Sequence, residues 1–560
     1  MAIGTLLVEQ GLISREQLSD AMAEQTSAGE RLDRVLVRRG LVTREQILQT
    51  ISTQFHLPVV DLDALEVDPA VLSSIPSRLV FRLHCIPIRR EDSRLVVATS
   101  DPFDLAVLDE LKLVTGCSIE LALADEDDLR KFIRAHFGVG GDTLDAMTAG
   151  MDEAALDLAP AADEAEQAQE ASVIKLVNDL LTEAISERAT DVHIEPYEHE
   201  LVVRYRIDGV LQRASVPAVI NRFGAAIISR LKIMANLNIA EKRIPQDGRI
   251  TFKARLPGRP PEEFDLRLSI IPMLFGEGVV LRVLNKSAVL MTLDQLGMPE
   301  WVIHRWTKLI DRPHGILLVT GPTGSGKSTT LYGSLNKIVS DEIKAITVED
   351  PVEYHVPGVN QIQVNHKVGL DFAAGLRAIL RHDPDVVMIG EIRDKETAET
   401  AIQASLTGHL VFSTLHTNDA PGAVTRLLDM GVEPFLVASS VEAIMAQRLV
   451  RRVCQACAAP FRPEPSEIPD EFVLPPSGML VRGAGCRECR GTGYRGRVGI
   501  YELLELAEDT RDQIMHRTSA PAIAATARRG GRLRTLVEDG FAKAAAGSTT
   551  LAEVVRSLST

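Results

Sequence analysis

One stretch of the 560-residue chain constrains its fold more than any other, Gly315 to Lys344. An apolar run of strand length, Ile316 to Val319, feeds the loop Gly321-Pro322-Thr323-Gly324-Ser325-Gly326-Lys327-Ser328-Thr329, and a helix-forming segment, Thr329 to Val339, follows. Strand, GxxxxGK[ST] loop and helix in that order form a P-loop. Glycine alone lets consecutive backbone N–H groups curl round a phosphate, and the helix N-terminus adds its amides and positive dipole. Lys327 is expected to reach the β- and γ-phosphates, and Ser328 to ligate Mg²⁺. The chain is therefore expected to bind a nucleoside triphosphate.

A chain of this length exceeds one core, so three or four domains are expected. No apolar run approaches the roughly 18 residues of a membrane helix, and Met1 to Leu18 is amphipathic and acidic, unlike a signal peptide. A cytoplasmic location follows as an expectation. The net charge of −16 disfavours gripping nucleic acid over most of the surface, so no nucleic-acid partner is expected.

Residues 1–58 form a helical repeat module. Ile3-Gly4-Thr5-Leu6-Leu7 and Gly11-Leu12-Ile13-Ser14-Arg15-Glu16-Gln17-Leu18 recur 29 positions on as Leu32-Asp33-Arg34-Val35-Leu36 and Gly40-Leu41-Val42-Thr43-Arg44-Glu45-Gln46-Ile47, with Gln25 answered by Gln54. Gly11 and Gly40 sit where a helix ends, and Ser14 or Thr43 caps the next. Residues 59–139 read as a small α/β subdomain with strands at Cys85 to Ile88 and Leu95 to Ala98. Residues 140–170 are acidic, without Lys or Arg, and read as a solvated linker.

A mixed α/β domain is expected over 171–290, opening with a helix from Val173 to Arg188. Its segments Asp265-Leu266-Arg267-Leu268 and Val279 to Arg282 alternate as half-buried strands do, with arginines on one face. That face is either plain solvated surface or, beside a P-loop domain, a source of arginine fingers for γ-phosphate charge.

After the P-loop, apolar strands keep ending in acids or histidine, as when ligands gather at the C-terminal edge of a parallel sheet. Ala345 to Val348 leads to Glu349, Asp385 to Ile389 leads to Glu391, and Leu410 to Ser413 leads to His416. Asp385 precedes its strand and lies about 13 Å from that edge, so Glu391 is the better Mg²⁺ ligand. Glu349 is assigned to orienting and activating water, His416 to sensing the γ-phosphate, and the two glutamate roles remain exchangeable. Cys454-x-x-Cys457 and Cys486-x-x-Cys489, separated by 28 residues, make a tetrahedral Zn²⁺ site in which four thiolates leave no open catalytic position.

Four ordered boxes carry a resemblance: Gly321 to Thr329, Thr347 to Glu353, Gly390 to Asp394 and Thr407 to Asp419. They resemble the Walker A, Asp, Walker B and His boxes of the secretion ATPase superfamily, specifically the assembly ATPases of type II secretion and type IV pili. The segments Gly375 to Arg381 and Gln403 to Thr407, like the four-cysteine insertion at about 451–495, look more like the type II secretion branch. The resemblance implies a RecA-like ATPase domain over 291–560 and a cytoplasmic homo-hexamer held at the inner membrane by partners. Those partners would be a platform protein and the cytoplasmic domain of a membrane-anchored secretion or pilus component. It further implies that Arg249 and Arg267 contact the phosphates, and that Arg377 and Arg381 bear on the active site or the subunit interface. Hydrolysis would drive pseudopilus assembly and protein export. Type IV pilus extension is the alternative, and a nucleic-acid translocase a more distant one. The N-terminal repeat resembles the paired cyclic di-GMP motif of some of these ATPases. It departs from the Arg-Leu-Gly opening, reading Ala2-Ile3-Gly4 and Arg31-Leu32-Asp33, so a purely structural docking module stands beside nucleotide binding.

Overall fold

The computed structural model describes residues 3–28, 32–62, 65–103, 105–148, 170–256, 261–285 and 291–559. The chain divides into two compact units, Met1–Ser287 and Ala288–Thr560.

In the first unit the repeat folds as two helix pairs, Ile3–Glu9 with Arg15–Ala28 and Leu32–Arg38 with Arg44–Phe55. Gly11 and Gly40 take φ of 72° and 67°, the left-handed conformation of a residue just past a helix end. Ser14 and Thr43 then cap the second helix of each pair. Each hydroxyl accepts from the amide three residues on, while Gln17 or Gln46 accepts from the cap residue's own N–H. A three-stranded sheet follows, β1 (Cys85–Glu91), β2 (Arg94–Thr99) and β3 (Ser118–Leu123), with β2 central. Where the acidic linker was expected to begin, a helix spans Gly141–Thr148, and Val139 and Leu144 join the core of the next sheet. The rest of that stretch, 149–169, lies outside the described residues.

The next sheet has six antiparallel strands: β4 (Asp191–Pro196), β5 (Leu201–Ile207), β6 (Val210–Arg213), β7 (Gln246–Ala254), β8 (Glu262–Met273) and β9 (Gly276–Asn285). Their order is β6-β5-β4-β9-β8-β7. Alternate side chains, among them Val192, Ile194, Leu266, Leu268 and Leu281, share a core with Val177, Leu180 and Leu231 of the helices Ala171–Ser186 and Gly224–Met234. One face is thus helix-covered. The intervening residues, Asp191, Arg249, Arg267 and Arg282 among them, belong to the other face by the two-residue period of a strand.

The second unit is built on β10 (Gly315–Thr320), β11 (Ala345–Glu349), β12 (Val359–Gln363), β13 (Val386–Ile389), β14 (Leu410–Leu415) and β15 (Val441–Val453). After a two-stranded insertion, β16 (Ala458–Phe461) and β17 (Leu480–Gly483), β18 (Tyr494–Glu505) pairs antiparallel with β15. The seven-stranded order is β12-β11-β13-β14-β10-β15-β18, parallel except at β18. Leu318, Val348, Val387 and Val411 face one core, and Leu317, Val319, Met388 and Phe412 another. Both faces are therefore buried, as helical crossovers require of a parallel sheet. Four helices, Glu508–Met515, Ala520–Arg529, Leu536–Ala545 and Leu551–Ser559, close the chain.

Candidate functional site

β10 ends at Thr320, and the loop that follows turns on glycines at φ of 149° (Gly321), 79° (Gly324) and 89° (Gly326). A Cβ on Gly321 would meet the Gln447 carbonyl oxygen at 2.3 Å, and one on Gly326 the Gln447 side-chain nitrogen at 2.8 Å. The loop is thus pressed against β15, and only glycine fits there. Gln447 is itself fixed, its Oε1 accepting from Thr330 Oγ1 at 2.7 Å. Lys327 opens the helix Lys327–Ile338, and its Nζ donates to the carbonyls of Gly321 (2.8 Å) and Pro322 (3.2 Å). Burial pulls its pKa below the usual lysine value, with the Glu391 carboxylate opposing. Ser325 Oγ is buried with no hydrogen-bond partner among the described residues. Pinched glycines, a lysine resting on loop carbonyls and an orphaned hydroxyl fit a phosphate chain, which would take up those donors.

Parallel register brings the other strand ends to this edge. Thr320 pairs with Leu415, Ile389 with Ser413, and Val348 with Ile389. Glu391, two residues past β13, is ion-paired with Arg393 and lies 3.2 Å from His416 Nε2. Glu391, His416 and Lys327 thus share one edge, with Ser328 at the adjoining helix start, and the donor set of Ser328 and Glu391 fits Mg²⁺. Glu349 is 4 % exposed at the end of β11. Its carboxylate accepts from Tyr332 Oη, from Thr347 Oγ1 at 2.6 Å and from Gln361 Nε2 at 3.1 Å. Burial and the Glu349 charge push the Tyr332 phenol well above its usual value, so tyrosine remains the donor. Glu349 is therefore held in place by three donors, against the roughly four hydrogen bonds that a carboxylate can accept.

Arg377 is paired with Glu396, and Arg381 Nη1 donates to the Arg377 carbonyl at 2.6 Å. Arg377 thus lies in the helix Phe372–Ile379 and Arg381 two residues past it, both engaged apart from the bonds that build the P-loop. In the six-stranded sheet, Arg249, Arg267 and Arg282 stand directly opposite one another on β7, β8 and β9. Arg249, 60 % exposed, bonds the buried Asp265 through Nη2 at 2.8 Å, and Arg282 Nε bonds Asp191 at 3.2 Å. The expected arginine face is a row of three guanidinium groups across three strands.

Cys454, Cys457, Cys486 and Cys489 bring their Sγ atoms within 4.8 Å of one another, with contacts of 3.7–3.9 Å. A tetrahedron of Zn–S bonds of about 2.3 Å has edges of about 3.8 Å, so the set fits zinc. Burial raises Cys486 to about 12, whereas Cys489, despite burial, is held at about 7 by the Cys486 and Gly493 amides on its sulfur.

Thr347 and Arg393, which hold Glu349 and Glu391, lie inside two of the four boxes, although no role was read for them. Tyr332, Gln361 and Gln447 escaped the sequence reading, and none of these three lies in a position that a local pattern marks as chemical. Gln447 reaches the loop from a strand 120 residues downstream.

Comparison with known proteins places these features in company. The family described as Type II/IV secretion system protein matches residues 166–556, and the MshEN domain matches residues 55–143. The Type IV pilus assembly ATPase PilB of Myxococcus xanthus is 42% identical over 564 residues, 99% of this chain and 98% of its own. Type II secretion system protein E of Xanthomonas campestris pv. campestris is 42% identical over 563 residues, 98% of each chain. The X-ray structure of the Legionella pneumophila ATPase DotB is similar at TM-score 0.51 and 21% identity, covering 68% of this chain and 95% of that one, a likeness of fold.

Proposed function

This chain belongs to the family of type II/IV secretion system proteins, and from that membership we propose that it is a hexameric ATP-hydrolysing motor powering pseudopilus assembly and protein export in type II secretion. The observation that carries the reading is the convergence of Lys327, Glu391 and His416 at one edge of the parallel sheet, where the P-loop follows the strand next to that of His416. Lys327 leaves the Gly321 and Pro322 carbonyls for the β- and γ-phosphate oxygens. Ser328 and Glu391 would hold Mg²⁺, which when bound would neutralise charge developing on the transferring phosphoryl group. Glu349, held by its three donors, orients the attacking water through its remaining acceptor capacity. His416 reports the γ-phosphate through its contact with Glu391. Arg249 and Arg267 are read as the guanidinium groups that meet the phosphates once subunits assemble, and Arg377 and Arg381 as groups at the site or subunit interface. The four thiolates would hold a structural Zn²⁺.

Steady-state ATP hydrolysis across size-exclusion fractions tests this reading, with Glu391→Gln and Arg267→Ala alongside. Turnover confined to a hexameric fraction and lost in Arg267→Ala, with ATP binding retained, supports composite sites. Equal turnover per chain in monomers removes them.

Type IV pilus assembly is the second reading, favoured by a pilus ATPase relative as similar over its full length as the type II one. Rescue of secretion rather than piliation in matched deletion strains separates the two. Among the described residues no helix is long and apolar enough to cross a membrane. Attachment at the inner membrane is accordingly assigned to partners, a platform protein and the cytoplasmic domain of a membrane-anchored component.

Cyclic di-GMP, the ligand implied by the N-terminal repeat, would enter the cavity of about 750 Å³ lined by residues of the repeat and of the three-stranded subdomain. Its arginines are already engaged, Arg34 with Glu126, Arg38 with Glu24, and Arg44 with Asp125 and Asp127. A bisphosphate must displace those carboxylates to bind. Calorimetric titration of the full chain with cyclic di-GMP decides between a receptor and a docking module.

A further inference from the structure

The loop that follows β14, His416 to Asp419, is fastened at three points. Thr417 N donates to Thr320 Oγ1 at 2.9 Å, at the end of the P-loop strand. Asn418 Oδ1 accepts from Arg448 Nη2 at 3.2 Å. The amide of Ala420, first residue of the helix Ala420–Asp429, donates to Glu502 Oε1 at 2.7 Å. The last two anchors are charged side chains that are 5 % and 4 % exposed, and each has a second hand. Arg448 Nη1 donates to the carbonyl of Ser557 in the helix Leu551–Ser559. Glu502 Oε2 accepts from the amide of Leu536, first residue of the helix Leu536–Ala545, at 3.3 Å. Ala446 stands opposite Glu502 across β15 and β18, and Arg448 lies two residues on, so both charges project from the same face of the sheet.

Burying two charges is costly, and apolar groups would close a sheet against helices more cheaply. What the charged pair provides is a directional link from the His416 loop to the last two helices. We propose that Arg448 and Glu502 are positioning residues for ATP hydrolysis: they set the His416 loop at the nucleotide edge and make it move as one body with helices Leu536–Ala545 and Leu551–Ser559. The proposal rests on the ATPase reading and extends it to the C-terminal segment. It assigns the tail, which carries no motif, to the moving parts.

Glu502 also titrates in a useful range. Burial, with Asp419 and Glu538 nearby, raises it to about 7 against the pull of the Ala420 and Leu536 amides. Arg448 lies on the same sheet face, and Asp539, bonded to Lys543, accepts from the neighbouring Tyr501 amide. The ionised carboxylate accepts from both helix starts. Protonation below about 7 turns one oxygen into a donor facing an N–H and releases one of them.

The test measures kcat, KM for ATP and their pH dependence for the hexameric full chain and for Glu502→Gln and Arg448→Lys. Amide exchange of the unmodified protein is followed with and without a non-hydrolysable ATP analogue and Mg²⁺. Expected are a fall in kcat of about ten-fold or more in Glu502→Gln with KM within about two-fold, the scale of losing correct placement of a reacting group. A limb of kcat near pH 7 should be present in the parent and flat in that variant. Arg448→Lys should fall between the two. The analogue should change exchange in residues 536–545 and 551–559 as well as in the P-loop. Parent-like kcat in a folded Glu502→Gln hexamer overturns the proposal. So does exchange in those helices that ignores the analogue while P-loop amides become protected, a result that needs no variant to fold. Absence of hydrolysis by the unmodified hexamer instead overturns the ATPase reading, and the proposal with it.

Discussion

The two large sheets differ in how their strands are joined, the seven-stranded one largely through helical crossovers and the six-stranded one through two runs of three consecutive antiparallel strands. In the seven-stranded sheet the parallel strands end together, so Lys327, Glu391 and His416 gather along one edge although they are far apart in sequence. In the six-stranded sheet the strands are antiparallel, so no edge collects their ends. The basic side chains form a row across a face instead, Arg249 opposite Arg267 opposite Arg282. An edge of strand ends can wrap a small ligand, whereas a row on a rigid face can only be pressed against something brought to it. Side chains at an edge and side chains on a face are thus the products of different kinds of sheet.

The sharpest way to break this contrast is to disable the edge. Lys327→Ala should lower kcat/KM for ATP about 10³-fold, roughly 4 kcal/mol of transition-state stabilisation, by steady-state kinetics. A smaller loss than that of Arg267→Ala would reverse the ranking of edge over row. For Arg267→Ala the expectation is about a 10²-fold fall in kcat with nucleotide binding retained, as for a charge that acts on the transition state. An unchanged kcat would reduce the row to a solvated face.

A third measurement concerns how the nucleotide sheet is braced. Burial favours protonation of Glu553, but Arg556 and Arg451 hold it down at about 2, against 4.5 for a free glutamate. A depressed carboxylate contributes stability that is present above pH 4.5 and is lost as pH falls towards 2. The contribution should be about 2–3 kcal/mol, read as a difference between parent and Glu553→Gln in denaturant titrations at pH 6 and pH 3. If both lose stability equally on acidification, the brace lies elsewhere. The smallest effect is expected at Tyr332→Phe, which strips one donor from Glu349 and should cost about 1–2 kcal/mol in unfolding free energy. Its kcat will tell whether the three-donor cradle serves placement of Glu349 or only its burial.

Much of the edge was legible in the chain because each strand and its terminal ligand are contiguous: Ile316 to Lys327, Ala345 to Glu349, Val386 to Glu391, Leu410 to His416. The glycine ends and hydroxyl caps of the N-terminal repeat were legible for the same reason, since Gly11 and Ser14 act within a few residues of themselves. The supports were not. Gln447 against the P-loop, Gln361 on Glu349 and Glu502 on Ala420 act across long sequence separations, and a lone Gln or Glu in a strand carries no local mark. β15 was missed as an element because Gln447, Arg448 and Arg451 interrupt its apolar pattern with the side chains that tie it to its neighbours. The helix Gly141–Thr148 was hidden by composition, its acids outweighing the buried Leu144.

The four-cysteine insertion begins where β15 and β18 part. Val453 is still paired with Tyr494, and the neck is closed by the Cys454 amide on the Gly493 carbonyl at 2.9 Å. β18, which carries Glu502, therefore returns to the sheet only after a long excursion whose closure entropy four thiolates would cut short. If the thiolates take up zinc, metal supply would bear on how soon β18 rejoins the sheet after the P-loop strand is made. Zinc starvation would then lower the number of finished motors rather than the speed of each.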